Sequence, residues 1–67
     1  MSPMRVDRAL KRLRAERELT MQALAKRAGV TDAYIAQLET GVRKNPSLAV
    51  LKRLAKALKV EVGGLLE

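Results

Sequence analysis

The chain contains no cysteine and no histidine. Without cysteine there is no disulfide framework and no thiolate metal site. Without either residue, the common zinc sites and most nucleophile–base pairs are excluded. Aromatics are almost missing: Tyr34 stands alone, with no Trp and no Phe. The core must therefore be built from Leu, Val, Ile and Ala, the bulk of a 48% hydrophobic fraction. Acidic residues are few, 7 against 14 Lys and Arg, for a formal charge of +7 over 67 residues. That excess points to a polyanionic partner. No apolar run approaches the roughly 18 residues of a membrane span. Met1-Ser2-Pro3-Met4 lacks the charged-then-apolar order of a signal peptide, so a cytoplasmic protein without membrane contact is expected. The length suits a single domain with a modest core. No cofactor, metal or small-molecule ligand is expected.

What is present reads as all-helical, because strand-forming residues never alternate with period two over more than a few positions. A first helix is predicted from about Met4 to Arg17, with Ser2 as cap and Pro3 in its first turn. Its stripe is Val6, Leu10 and Leu13. Thr20 caps a second helix, Met21 to about Ala28, with Leu19 and Leu24 spaced as a hydrophobic staple. Gly29 ends it with a left-handed residue. Thr31 caps a third helix from Asp32 to about Thr40, stopped by Gly41, and Asp32 in its first turn suits the helix dipole. After the loop Val42-Arg43-Lys44-Asn45-Pro46, Ser47 caps a fourth helix reaching about Lys59. Leu48, Leu51, Leu54, Ala55 and Leu58 form its stripe. A short fifth helix is expected near the end, opposed by Gly63-Gly64. The fold predicted is a compact bundle of five short helices around a central helix-turn-helix.

The informative unit is 20–41, two short helices joined by a tight turn. A small residue is needed where the helices approach, and Ala25 supplies it. A positive φ is needed at the turn, and Gly29 supplies it. Leu24, Ala28, Val30, Ile35 and Leu38 give the inner faces. These seven positions agree together.

With Leu19-Thr20-Met21-Gln22-Ala23-Leu24-Ala25, Ala28-Gly29-Val30-Thr31, Ile35-Ala36-Gln37-Leu38-Glu39-Thr40-Gly41, Asn45-Pro46-Ser47 and Leu54-Ala55-Lys56-Ala57-Leu58, the chain resembles the Cro/lambda-repressor-like helix-turn-helix domains from Val6 to Leu66. The resemblance implies a DNA-binding transcriptional regulator of bacterial, phage or plasmid origin. It implies a homodimeric repressor that reads a palindromic operator in double-stranded DNA. The third helix becomes the recognition helix, with base-reading positions on Thr31, Asp32, Ala33 and Gln37. Gln37 can pair bidentately with adenine, Asp32 can accept from cytosine N4, and Ala33 and the Thr31 methyl can meet a thymine methyl. Phosphate or flank contacts fall on Gln22, Tyr34, Thr40, Arg43 and Lys44. Arg14 matches a first-helix arginine that pairs with a glutamate, here Glu39, to orient the recognition helix. Such an exposed pair is expected to add at most about 1 kcal/mol. Two positions depart from the pattern. Met21 replaces the usual glutamine, so its phosphate contact is lost or shifts to Gln22. Val62-Gly63-Gly64-Leu65-Leu66 replaces an Asp-Glu-Leu-like stretch.

The charge is uneven. Residues 4–18 carry a net +3, residues 20–41 are neutral, and residues 42–59 hold six cations and no acid. A neutral reading segment beside a cationic flank matches the division between base contacts that specify and phosphate contacts that position. Lys52, Arg53, Lys56 and Lys59 read first as solubility charges. Val60, Val62, Leu65 and Leu66 either close the core or form a two-fold dimer contact, and the two roles are compatible. A rival reading is an antitoxin-type module that neutralises a protein partner and binds DNA secondarily. Phage regulators, restriction–modification controllers and antitoxins all occur among small proteins of this type, and no residue chooses between them. With no sensor domain in view, activity is expected to follow concentration or a partner. An enzyme is not expected: the few acids form no obvious buried pair, and no glycine-rich phosphate loop exists.

Overall fold

Four capped helices and one tight terminal turn account for residues 6–66, the part of the chain that the computed structural model describes. They are α1 (Val6–Glu16), α2 (Met21–Ala28), α3 (Asp32–Thr40), α4 (Leu48–Leu58) and a 3-10 turn at Val62–Leu65. The expected start of α1 at Met4, with Ser2 and Pro3, lies outside the described residues. The predicted N-caps are in place. Thr20, Thr31 and Ser47 accept from the backbone N–H groups of Ala23, Tyr34 and Val50 at 3.0, 3.0 and 3.2 Å. Each satisfies a donor that the helix start leaves orphaned.

Three helices end alike. Leu19, Val30 and Val60 donate their N–H to the carbonyls of Arg14, Ala25 and Ala55, five residues back. The residue just before each donor is left-handed: Glu18 at φ 54, Gly29 at φ 72 and Lys59 at φ 58. This is the Schellman arrangement, in which the residue after the left-handed one is apolar and folds back on the helix. Leu19, Val30 and Val60 do pack against the core. Only Gly29 is a glycine. α3 ends differently, and that difference shapes the candidate site below.

α1 packs on α3, α2 packs on both α3 and α4, and the 3-10 turn closes over α4 and α1. Leu10, Leu24, Ile35, Leu38, Leu54, Leu58 and Leu65 are all under 2% exposed. Each contributes about 1.5–3 kcal/mol by burial. Ala9 joins the α1 stripe, and Ala25 is 1% exposed where α2 meets its neighbours. No helix among the described residues is long and apolar enough to cross a membrane.

Two expectations are corrected. The fifth helix is a four-residue 3-10 turn, held by Gly64 N–H to Glu61 O (2.9 Å) and Leu66 N–H to Gly63 O (3.2 Å). Two adjacent glycines lose too much backbone entropy to sustain an α-helix. The turn still delivers Leu65 into the core. The α4 stripe also begins one turn late. Leu48 is 59% exposed, whereas Leu51, Leu54, Ala55 and Leu58 are buried.

Candidate nucleic-acid interface

α3 is held from behind and open in front. Ile35 and Leu38 anchor it in the core. Thr31, Asp32 and Ala33 are exposed, while Tyr34 and Gln37 are half-buried. Ala33 and Gln37 share a face at i, i+4, and Tyr34 lies one turn before Gln37. A short helix with a small and polar outward face can enter a groove about 12 Å wide.

The orientation of α3 is set from beneath. Arg14 donates from Nε to Glu39 Oε2 (2.6 Å) and from Nη2 to Glu39 Oε1 (3.0 Å), a bidentate pair between α1 and α3. Its third group, Nη1, donates to the carbonyl of Leu19 at 2.8 Å, tying in the segment before α2. The expectation of an exposed, weak pair is corrected here. The side chains are 18% and 1% exposed for Arg14 and Glu39. The hydrogen bond to Glu39 raises the Arg14 pKa above its ordinary value, burial opposes it, and the charge of Glu39 adds to the rise. A buried carboxylate is tolerated only because both oxygens are bonded, so this pair locks three segments in one geometry.

The end of α3 is the part that pattern reading missed. Gly41, at φ 82, caps the helix, and the chain turns back until Arg43 N–H donates to Gln37 O at 3.0 Å. The same two residues meet again through their side chains, where Arg43 Nε donates to Gln37 Oε1 at 3.1 Å. The Arg43 guanidinium also lies over the Tyr34 ring, 5.0 Å from its centroid. Base-reading and phosphate candidates are thus joined in one cluster. The available signal was Gly41, which announces a chain reversal, followed by a cation within reach of the last turn of α3.

The other predicted residues are placed as follows. Gln22 is exposed in the first turn of α2, and Met21 packs half-buried against the core. The Thr40 hydroxyl donates to Gln37 O at 3.3 Å, so its proton is already engaged within α3. Lys44 is exposed beside Arg43. Leu65 is fully buried, Val60 and Val62 pack partly against the core, and Leu66 is 38% exposed. Val42, in the loop after α3, is 77% exposed.

The cations of 42–59 do not form one flank. Arg43 and Lys44 sit at the end of α3. Arg53, Lys56 and Lys59 instead join Lys26 and Arg27 around a cleft of about 700 Å³ between the end of α2 and α4. No acid lines that cleft, and no residue of α3 does either. Four of these five cations lie in or just beyond the last turns of α2 and α4, where positive charge offsets the helix dipoles.

This architecture has known counterparts. RghR, a helix-turn-helix transcriptional repressor of Bacillus subtilis, is 46% identical over 57 residues, covering 85% of this chain and 42% of RghR. The immunity repressor of Bacillus phage phi105 is 39% identical over 62 residues, covering 92% of this chain and 42% of the phage protein. The chain thus spans about two fifths of each of these curated relatives. A crystal structure of SinR, a master regulator for biofilm formation, in complex with DNA superimposes with a TM-score of 0.89 at 31% identity. The match covers 92% of this chain and 98% of that one. The helix-turn-helix family matches residues 10–65. The chain belongs to the Cro/lambda-repressor-like helix-turn-helix family.

Proposed function

We propose that this protein is a sequence-specific regulator of transcription that binds double-stranded DNA as a homodimer and represses from a palindromic operator. The observation that carries the reading is the fixed, outward-facing α3. Its rear is locked by Arg14–Glu39, and its outer face holds the exposed Thr31, Asp32 and Ala33 and the half-buried Gln37. The likeness of the whole fold to a regulator solved on DNA supports it.

In this reading α3 lies in the major groove and its face reads base edges. Asp32 accepts from cytosine N4, and Ala33 with the Thr31 methyl meets thymine methyls. Arg43, Lys44, Gln22 and Tyr34 flank that face and position the domain on phosphates. Gln22 takes the place left by Met21. Two copies join through Leu66 and the partly covered Val60 and Val62, with Leu65 supporting them from the core. Their recognition helices then stand about 34 Å apart, on successive turns of the duplex.

The test is selection of bound duplexes from a randomised pool. The expected product is a palindrome whose half-sites are about one helical turn apart, and Gln37→Ala loses discrimination at one base step per half-site by about 1–3 kcal/mol. Retention of DNA without enrichment of any sequence would contradict specific readout. It would turn attention to a protein partner, as in an antitoxin.

A further inference from the structure

We infer that Arg43 is a positioning residue for Gln37, holding its amide in place before DNA arrives. The inference rests on the reading of α3 as the recognition helix and of Gln37 as a base contact.

A glutamine side chain is flexible, and its amide can turn over and exchange its oxygen and nitrogen. Such a reader must be ordered on binding, and an unheld one can swing to meet other base edges. Here the amide is held. Arg43 Nε donates to Gln37 Oε1 at 3.1 Å. A guanidinium has only donors, so the amide must face it with its oxygen. Arg43 is itself fixed at two further points. Its N–H donates to Gln37 O at 3.0 Å, which ties the loop to α3. Its guanidinium lies over the Tyr34 ring, 5.0 Å from the centroid, and Tyr34 packs against the core. The tip of Gln37 is thus fastened to a group that is fastened at both its ends. The bond leaves the second lone pair of Oε1 and both Nε2 hydrogens for a base edge, so the complement to adenine N6–H and N7 is unchanged. Arg43 sets where the amide stands, not which base it matches. Among the described residues nothing accepts from Arg43 Nη1 or Nη2, so the same guanidinium can still meet a phosphate. Base reading and phosphate positioning then share one side chain.

The experiment is duplex selection with the full chain and three variants: Gln37→Ala, Arg43→Met and Lys44→Met. The position read by Gln37 is the one whose preference vanishes in Gln37→Ala. Fluorescence anisotropy then compares the selected duplex with one changed at that position alone. Arg43→Met keeps the backbone bond to Gln37 and removes every guanidinium donor, and Arg43 is exposed, so the variant folds as the parent does. The parent should favour the selected duplex by roughly tenfold. In Arg43→Met the ratio should fall to about two- to threefold, both duplexes should bind more weakly, and preferences at other positions should remain. Lys44→Met should weaken both duplexes alike and keep the ratio. A ratio held near tenfold in Arg43→Met would overturn the inference, leave Arg43 as a phosphate contact and leave readout by α3 intact. Loss of preference at every position in that variant would also overturn it, since Arg43 would then act on α3 as a whole. If Gln37→Ala erased no preference, the reading of Gln37 would fall together with this inference. Enrichment of no sequence at all would overturn the function proposed above as well.

Discussion

Replacing Arg14 with methionine strands the Glu39 carboxyl group, 1% exposed, without the guanidinium that pairs with it. Among the described residues, both of its oxygens are bonded only through Arg14, at 2.6 and 3.0 Å. Removing one member of a buried pair costs about 3–5 kcal/mol. The Arg14 side chain is 18% exposed, so water can enter by its path and relax the stranded carboxylate. That places the expected loss near 3 kcal/mol, the lower end. A chain of 67 residues has a total stability of about 3–10 kcal/mol, so the variant loses a large share of it. Its melting temperature should fall by about 12 °C or more. Glu39→Gln keeps the shape and one acceptor and should cost about 1–2 kcal/mol. Arg14→Met combined with Glu39→Met removes both charges together and should recover to within about 1 kcal/mol of the parent. Urea melts followed by helical circular dichroism, at one fixed protein concentration, give all three values. The sign of the pH effect follows from the raised Arg14 pKa. A cation whose pKa rises on folding contributes fully below its unfolded value and fades only as pH climbs through the folded one. The contribution of Arg14 should therefore hold undiminished up to about pH 10. Loss of less than about 0.5 kcal/mol in Arg14→Met, or additive losses in the double variant, would mean that Arg14 and Glu39 are not coupled as a buried pair.

Two further predictions use other parts of the structure. Gly29 and Lys59 hold the same left-handed conformation, so substitutions there should act with opposite signs. A methyl group added at Gly29 would meet no atom within 4 Å, so Gly29→Ala should cost only the backbone strain, about 1 kcal/mol, in a thermal melt. Lys59→Gly relieves that strain and should be neutral or stabilising by up to about 1 kcal/mol in the same assay. Binding to a defined duplex, measured by fluorescence anisotropy across salt concentrations, should give a log–log slope of roughly −4 to −5 per protomer for four to six phosphate contacts. A slope near zero would contradict a phosphate-positioned complex.

Local signals carried most of the fold. Caps at Thr20, Thr31 and Ser47 are single-residue chemistry, and each governs a hydrogen bond only three residues away. The bounds of α2 and α3 follow from those caps together with Gly29 and Gly41. The ends of α1 and α4 were harder to see, because Glu18 and Lys59 take a conformation usually marked by glycine. The short fifth helix expected near the end is a 3-10 turn, because Gly63-Gly64, the pair that opposed it in the sequence, prevails. In the site, one-dimensional pattern could nominate Arg14, Glu39, Gln37 and Arg43 separately. Burial of Glu39 and the meeting of Arg43 with Gln37 depend on how α1 packs on α3 and how the chain leaves Gly41. The separation of the cations into two places is likewise a tertiary fact. Arg43 and Arg53 are ten positions apart in sequence, yet they serve different faces.

Those two faces can be told apart in solution. Backbone amide shifts of the labelled protein would be followed by nuclear magnetic resonance as a selected duplex is added. The largest changes are expected at Thr31 to Gln37, at Arg43 and Lys44, and at Gln22, with the α2–α4 cleft little affected. Changes concentrated instead at Lys26, Arg27, Arg53, Lys56 and Lys59, with α3 unmoved, would mean that DNA docks on the cationic cleft and that α3 does not read it.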